Sequence, residues 1–111
     1  MIGRSLLVAL TIATASGAVA RAAPASAANG HRLAQAGCAS CHAVERTGAS
    51  PDTDAPAFRD LTAYEPGRTI DEVFAAGILV AHEGMPSFGL TEREEADLLA
   101  YVRSMQPRTV R

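Results

Sequence analysis

The sequence contains no lysine and no tryptophan, and aromatic residues make up only 5% of it. Its ten basic residues are therefore all arginines, and they are outnumbered by twelve acidic residues. This balance disfavours binding to nucleic acid or to an anionic membrane, because both require a basic protein surface. Because aromatics are scarce while alanine and glycine are abundant, the side chains alone bury little apolar area. A chain of 111 residues forms one small domain of marginal stability, so we expect another apolar body to fill its core.

The N-terminal segment also lacks what a membrane-spanning helix needs. Its uncharged apolar run, residues 5–20, is shorter than the roughly 20 residues that span a bilayer. Arg4 precedes this run, and triplets with small residues at both ends follow it, at 20–22 and 25–27. A positive charge, an apolar run and small-x-small triplets are typical of a secretory signal peptide.

We therefore expect residues 1–27 to be a signal peptide that is cleaved after Ala23 or Ala27, and residues 28–111 to form the exported domain. The alternative is an uncleaved N-terminal membrane anchor. Cleavage would leave eight arginines against twelve acidic residues, a formal charge of −4. Export places the mature chain in the bacterial periplasm or an equivalent oxidising compartment.

The mature sequence predicts an all-α fold with long loops, because no alternating strand pattern is present. Three main helices are predicted, at residues 29–42 with Asn29 as the N-cap, at 69–77, and from Thr91 to just before Pro107. An irregular segment rich in Gly, Ser, Pro and Asp, residues 45–58, is too long for a bare connection in a small domain unless it covers something. A short helical turn is expected at residues 59–64.

The second and third helices each begin with a capping box. Thr69 is followed three residues later by Glu72, and Thr91 by Glu94, so each pair can satisfy two free amides at a helix start. The third helix also carries an apolar stripe at helical spacing, formed by Leu98, Leu99, Tyr101, Val102 and Met105.

Both cysteines and one of the three histidines lie in the segment GCASCHAV, as Cys38, Cys41 and His42. A structural disulfide closing so short a loop would constrain the unfolded chain little. A thioredoxin-type dithiol is expected beside a βαβ unit, which the sequence does not show. Zinc would lack a fourth ligand at standard spacing.

Cys-x-x-Cys-His is the pattern of covalent haem attachment, and this is the interpretation we favour over a disulfide or zinc. Each thiol adds to one vinyl group of the porphyrin, and the adjacent imidazole of His42 reaches the iron. One buried haem would also provide the apolar area that the side chains lack.

The second axial position of the iron requires a ligand from far along the chain. Met85, in the segment HEGMPSFG, lies between Gly84 and Pro86, which favour a turn and a fixed backbone angle beside the metal. Met105 lies on the apolar stripe and is assigned to the core. His82 is the competing ligand, and a bis-imidazole site would have a lower potential than a His/Met site. His31 is expected to face water.

These residues resemble the small class I monohaem c-type cytochromes of bacteria. The likeness covers residues 30–105 and has four parts in the order typical of that family: CASCH, the proline-containing loop APAFRDL, GMPSF and the last helix DLLAYVRSM. It implies the cytochrome c fold, with three main helices and long loops wrapped around one haem. The chain lacks the tryptophan that many relatives have near a propionate, and it lacks the lysine ring of the mitochondrial members.

The resemblance also implies roles for single residues. The first and last helices would cross where Gly30 meets Tyr101, with Leu98 and Val102 beside them. The carbonyl of Pro56 would accept a hydrogen bond from the iron-bound imidazole, with Pro51 as the alternative. Polar side chains of the middle region hold the haem propionates in such proteins, and the candidates here are Arg59, Tyr64 and Arg68.

We expect a periplasmic one-electron carrier with haem c and His42/Met85 ligation, which exchanges electrons with redox partner proteins. Nucleic-acid binding is not expected, and neither is stable membrane association unless the signal is uncleaved. No catalytic acid, base or nucleophile is implied, so the chain is not expected to be an enzyme. The alternatives are a gas-binding, sensory or peroxidase-like haem protein with an open sixth site, and an electron-donating subunit of one dedicated enzyme.

Overall fold

A computed structural model describes residues 16–78 and 84–108. These residues form helices and loops without a strand, which confirms the predicted all-α fold. The elements are α1 (Ala27–Gly37), a 3₁₀ turn (Phe58–Asp60), α2 (Leu61–Tyr64), α3 (Ile70–Ile78) and α4 (Glu92–Met105). The 3₁₀ turn and α2 together occupy the position of the short helical turn expected at 59–64. In the two described ranges, no helix has the length and apolar character that crossing a bilayer requires.

Helix α1 begins earlier than the sequence predicted. Ser26 is the N-cap, and its Oγ accepts a hydrogen bond from the amide of Asn29 at 3.1 Å. The assignment of Asn29 as the N-cap was therefore wrong. The reason is tertiary, because the Asn29 side chain donates from Nδ2 to Oδ2 of Asp97 on α4 at 2.8 Å.

The C-terminal end of α1 also differs, because the helix ends at Gly37 and not at His42. The following residues form a turn, in which Cys38 O accepts from the amides of Cys41 (3.2 Å) and His42 (2.9 Å). These bonds continue the helical hydrogen-bond pattern for one turn. Cys38, Cys41 and His42 consequently stay close together although they lie outside the regular helix.

The capping boxes predicted for α3 and α4 are present. Thr91 is the N-cap of α4, and its side chain and that of Glu94 each bond to the other residue's amide. At the start of α3, the Thr69 amide donates to Glu72 Oε2 at 2.7 Å, and the Glu72 amide donates to Thr69 Oγ1 at 3.3 Å. The hydrogen bonds from Thr69 and Thr91 hold the pKa of Glu72 and of Glu94 below the usual value.

The main packing contact of the fold is the crossing of α1 and α4, where Gly30 lies against Asp97 and Tyr101. A Cβ on Gly30 would lie 2.0 Å from the backbone oxygen of Asp97 and 2.8 Å from Cβ of Tyr101. Only a residue without a Cβ allows the two helices to approach so closely. The buried apolar cluster that surrounds this crossing consists of Ala34, Cys38, Val44, Phe58, Phe74, Leu98, Tyr101, Val102 and Met105.

We predict that Gly30→Ala destabilises the folded holoprotein by about 3 kcal/mol, because two helix backbones must separate to admit the methyl group. This cost exceeds the gain in helix propensity of about 1 kcal/mol that alanine brings. Guanidinium unfolding of both holoproteins measures the difference. Ala36→Ser is the matched control, since it adds one heavy atom to an exposed position of the same helix. Equal stabilities of Gly30→Ala and the wild type would contradict the packing described here.

The sequence suggested that His31 faces water, but in the structure its ring also contacts two other side chains. Its ring stacks on that of Tyr101 with centroids 4.7 Å apart, and its Nε2 lies 2.7 Å from Oε1 of Glu45. The hydroxyl of Tyr101 in turn donates to the backbone oxygen of Val44 at 2.6 Å. The crossing of α1 and α4 therefore fixes the segment that directly follows His42.

A buried carboxylate, which sequence analysis missed, links α4 to the start of α1. Asp97 is only 2% exposed, and its oxygens accept from the Ser26 amide at 2.7 Å and from Asn29 Nδ2 at 2.8 Å. Nε of Arg93 lies 3.2 Å from Oδ1 of the same carboxylate. The Ser26 amide is the main reason why the pKa of Asp97 lies below its usual value.

Candidate functional site

A cavity of about 640 Å³ lies between the turn after α1, the loop 45–58, α2, α3 and the loop that leads to α4. This volume is in the range of cavities that hold small molecules and cofactors. Its walls are mainly apolar, and their larger apolar side chains are Phe58, Leu61, Val73, Phe74, Phe88 and Val102. The expectation of a core completed by another apolar body agrees with this cavity.

All five residues predicted for the site line this one cavity: Cys38, Cys41, His42, Pro56 and Met85. Both cysteines are free thiols in the structure. Cys38 is buried, and this burial raises the pKa of its thiol, so the group is a neutral thiol at neutral pH. The donor set of two thiols, an imidazole and a thioether around an apolar space suits a porphyrin with a central iron.

The His42 ring is held in one tautomer. Its Nδ1 lies 2.7 Å from the backbone oxygen of Pro56, and a carbonyl oxygen can only accept. Nδ1 therefore carries the hydrogen, and Nε2 keeps the lone pair that a metal requires. The Phe58 ring, with its centroid 5.4 Å from that of His42, packs beside the imidazole. The acceptor in the structure is Pro56, not the alternative Pro51.

The loop that carries Pro56 is anchored to the Cys-x-x-Cys-His turn by backbone hydrogen bonds. The Asp52 amide donates to Cys41 O at 3.1 Å, and the Phe58 amide donates to Ala43 O at 3.0 Å. Ser50 Oγ accepts from the Ala43 amide at 2.9 Å. The loop is long because it forms one wall of the cavity, in line with the sequence-based expectation that it covers something.

Met85 reaches the cavity from the segment that precedes α4. Gly84 has a φ of +86°, a conformation that residues with a side chain rarely adopt, and Pro86 restricts the backbone on the other side. Gly84, Met85 and Pro86 all line the cavity. The competing ligand His82 lies outside the described residues.

Of the three candidates for binding the haem propionates, only Tyr64 lines the cavity. Tyr64 lines the cavity and is 65% exposed. Arg59 instead donates to Gly48 O at 2.6 Å, and Arg68 donates to the Glu65 carboxylate and, at 2.9 Å, to Glu72 O. Neither arginine lines the cavity. Both guanidinium groups instead form hydrogen bonds within the protein, Arg59 with the loop 45–58 and Arg68 with residues next to α2 and in α3.

Sequence reasoning also missed the charge of the cavity lining. In the part of the chain that the structure describes, the Asp, Glu and Arg side chains that line the cavity are all carboxylates, those of Asp52, Asp54 and Glu65. Negative charge near an iron favours its oxidised state by Coulomb attraction. Asp52 and Asp54 belong to the loop 45–58, and Glu65 directly follows α2. The three residues are visible in the sequence, but their proximity to the site is not.

Sequence analysis also assigned no role to Phe88, the aromatic residue in the segment GMPSF that carries Met85. Phe88 is 38% exposed and lines the cavity. A Cβ on Gly37 would lie 3.5 Å from two of its ring atoms, so this ring packs against the end of α1. Its position three residues after Met85 was the available signal. Phe88 brings the two segments that carry the thiols and the thioether into contact.

An all-α fold with two thiols, an imidazole and a thioether around one apolar cavity defines a class of proteins that bind a porphyrin covalently. The cytochrome c family model matches residues 27–106 of this chain. Cytochrome c-552 of Bradyrhizobium diazoefficiens is 36% identical over 104 residues, which cover 94% of this chain and 95% of that protein. No solved structure matched the chain.

This chain belongs to the cytochrome c family. It is a class I c-type cytochrome with covalently bound haem c, and it carries electrons to and from redox partners. The disulfide and zinc interpretations of the cysteine pair are set aside by this finding. Among the described residues, no group of three His, Cys, Asp or Glu side chains is arranged to hold a metal ion by itself.

Proposed function

We propose that this protein is a periplasmic one-electron carrier in which Cys38 and Cys41 hold the haem through thioether bonds, and His42 and Met85 are the axial ligands. The observation that carries this proposal is the convergence of these four residues on one apolar cavity, although Met85 lies 47 positions after Cys38 in the chain. The haem iron supplies a site that accepts and returns a single electron.

The role of His42 follows from its hydrogen bond. Donation from Nδ1 to Pro56 O fixes the ring orientation and raises the electron density at Nε2, which makes the imidazole a stronger ligand. The loop that carries Pro56 is itself bonded to Cys41, so the ligand and the residue that orients it move together. A rigid ligand costs little reorganisation when the charge of the iron changes.

The role of Met85 follows from its chemistry and its backbone. A thioether opposite an imidazole raises the reduction potential relative to two imidazoles. The positive φ of Gly84 and the ring of Pro86 restrict the segment that presents the thioether. With His42 and Met85 both bound, the iron would offer dioxygen no open position, which suits a carrier and not an oxidase or a gas sensor.

The remaining cavity residues control the surroundings of the iron. The apolar side chains of α3 and of Phe58 exclude water, and a low local dielectric strengthens the effect of the nearby carboxylates. Electron exchange with partners would take place at the haem edge next to Cys41, where Ser40 and Asp52 line the cavity and are exposed to solvent. Electron transfer forms and breaks no covalent bond, so this function requires no catalytic acid, base or nucleophile.

The periplasmic location is supported by the leader pattern of the first residues and by the covalently bound haem. Covalent haem attachment takes place outside the cytosol, so a chain that carries this motif has to be exported before the haem is bound. An export leader is the feature that brings such a chain to that compartment.

Absorption spectra of the oxidised and the reduced holoprotein test the proposed ligation. We expect a weak band near the red edge of the ferric spectrum, which reports the bond between iron and a methionine sulfur, and no binding of carbon monoxide to the ferrous protein at neutral pH. Absence of the band together with rapid carbon monoxide binding would contradict the carrier. That outcome would instead support a gas-binding or peroxidase-like protein with an open sixth site.

A further inference from the structure

Residues that precede α1 are bound to α4, although they lie within the predicted leader. Arg93 donates from Nη1 to the backbone oxygen of Ala23 at 2.6 Å and from Nη2 to that of Pro24 at 2.7 Å. These two contacts join positions about seventy residues apart in the sequence. The segment that begins at Ala23 is therefore part of the folded domain.

Ser26 extends this connection in two ways. Its Oγ caps α1, and its amide donates at 2.7 Å to Oδ1 of Asp97, which is only 2% exposed. Removing Ser26 would leave the first turn of α1 without its side-chain cap and the Asp97 carboxylate without its amide donor. Cleavage after Ala27, one of the two sites that the sequence suggested, is therefore inconsistent with the fold.

We infer that the leader is cleaved between Ala22 and Ala23, one residue before the other suggested site. Hydrolysis of this peptide bond consumes one water, leaves a carboxylate on Ala22 and creates the amino group of Ala23. The mature chain then begins Ala23-Pro24-Ala25-Ser26 and keeps both carbonyls that Arg93 binds. The folded domain comprises residues from Ala23 onward.

Three further observations separate this bond from the bond after Ala23. Cleavage after Ala22 follows the triplet 20–22, which has alanine at both ends, whereas cleavage after Ala23 would put Arg21 at the position that requires a small residue. The bond between Ala23 and Pro24 is also a tertiary amide with a fixed φ and no N–H. In addition, its hydrolysis would remove the Ala23 carbonyl from Arg93.

The structure before Ala23 agrees with removal of the leader. Residues 16–22 are all exposed, and Val19 is 93% exposed although it is apolar. An exposed segment without regular structure is accessible to a protease. The boundary between the exposed segment and the segment that is bound to α4 coincides with the proposed cleavage site.

The test is to express the full precursor in a host that exports and matures c-type cytochromes, and to determine the intact mass and N-terminal sequence of the purified holoprotein. We expect the N-terminal sequence Ala-Pro-Ala-Ser. A protein that begins at Pro24, at Ala28 or at Met1 would overturn the inference. This readout does not depend on the axial ligands, so it fails or succeeds independently of the proposed electron-carrier site.

A pair of serine variants provides the second measurement. Ser26→Ala in the precursor should give a mature protein that lacks one oxygen atom and melts about 4–8 °C lower, because the N-cap is lost. Ser16→Ala, the matched control in the leader, should give a mature protein identical to the wild type in mass and melting temperature. If Ser26→Ala leaves both quantities unchanged, residue 26 is removed during processing and the inference is wrong. A retained Ser26 whose replacement does not lower the melting temperature would also contradict it.

Discussion

Replacing Cys38 and Cys41 by serine is expected to give a colourless protein without stable tertiary structure. The haem can then no longer be attached, and the cavity of about 640 Å³ is left without a porphyrin. Without the porphyrin, the mainly apolar walls of this cavity would face water, and the burial of apolar area that stabilises the fold would be lost. The total stability of a small domain is only about 5–15 kcal/mol, so the cavity collapses and the fold is lost.

The scarcity of aromatic side chains explains why the chain cannot compensate. Few large residues are available to fill the space, and the described core around the α1–α4 crossing contains several small ones. Cys38 is itself part of this core, at 7% exposure, so in the proposed site its sulfur would join the protein core to the porphyrin. The haem is therefore a structural component of the fold as well as its redox centre.

Intact mass, the absorption spectrum and the dispersion of amide signals in the NMR spectrum measure this result. The matched control is Ser40→Ala, which changes an exposed residue between the two cysteines and should leave haem attachment and folding intact. Sharp, dispersed amide signals from the double serine variant would contradict the expectation, because they would show a folded chain without haem.

Met85→Ala is expected to open the sixth coordination position and to lower the reduction potential by on the order of 0.1–0.3 V. A thioether stabilises the reduced iron, and its loss leaves the site to water or to a harder ligand that favours the oxidised state. The red-edge band of the ferric spectrum should disappear, and the ferrous protein should bind carbon monoxide. The fold should persist, because the haem stays attached through the two cysteines.

Redox titration of the holoprotein measures the potential. Met105→Leu is a control that removes a methionine from the buried core with little change in volume, so the potential should stay near that of the wild type. His82→Ala is the second control and should have no effect. An unchanged potential in Met85→Ala together with a changed potential in His82→Ala would transfer the axial role to the histidine.

Much of the fold could be predicted from the sequence because the interactions involved are local. The capping boxes at Thr69 and Thr91 connect residues three positions apart, and the apolar stripe of α4 repeats within one helix. The Cys-x-x-Cys-His spacing keeps its three reactive groups together even though α1 ends before them. The resemblance to c-type cytochromes added the crossing of Gly30 and Tyr101, which the structure contains.

Prediction failed where a side chain has a partner far away in the sequence. Asn29 had the right residue type for an N-cap, but its amide group donates to Asp97, which lies 68 residues further along the chain. His31 was assigned to water because nothing nearby in the sequence indicated Tyr101, and Arg59 was considered for the haem although it binds its own loop. Local patterns carry no information on such partners.

By itself, then, the sequence determined the helical class, the helix starts with capping boxes, the covalent cofactor and the candidate axial residues, because each is encoded by residues close together in the chain. The tertiary structure alone decided that Ser26 caps α1, that Pro56 and not Pro51 orients His42, and that the segment from Ala23 is bound to α4. The physical reason is that these contacts exist only once the chain has folded around the cavity and α1 has crossed α4, so their energy depends on distances that no sequence spacing specifies.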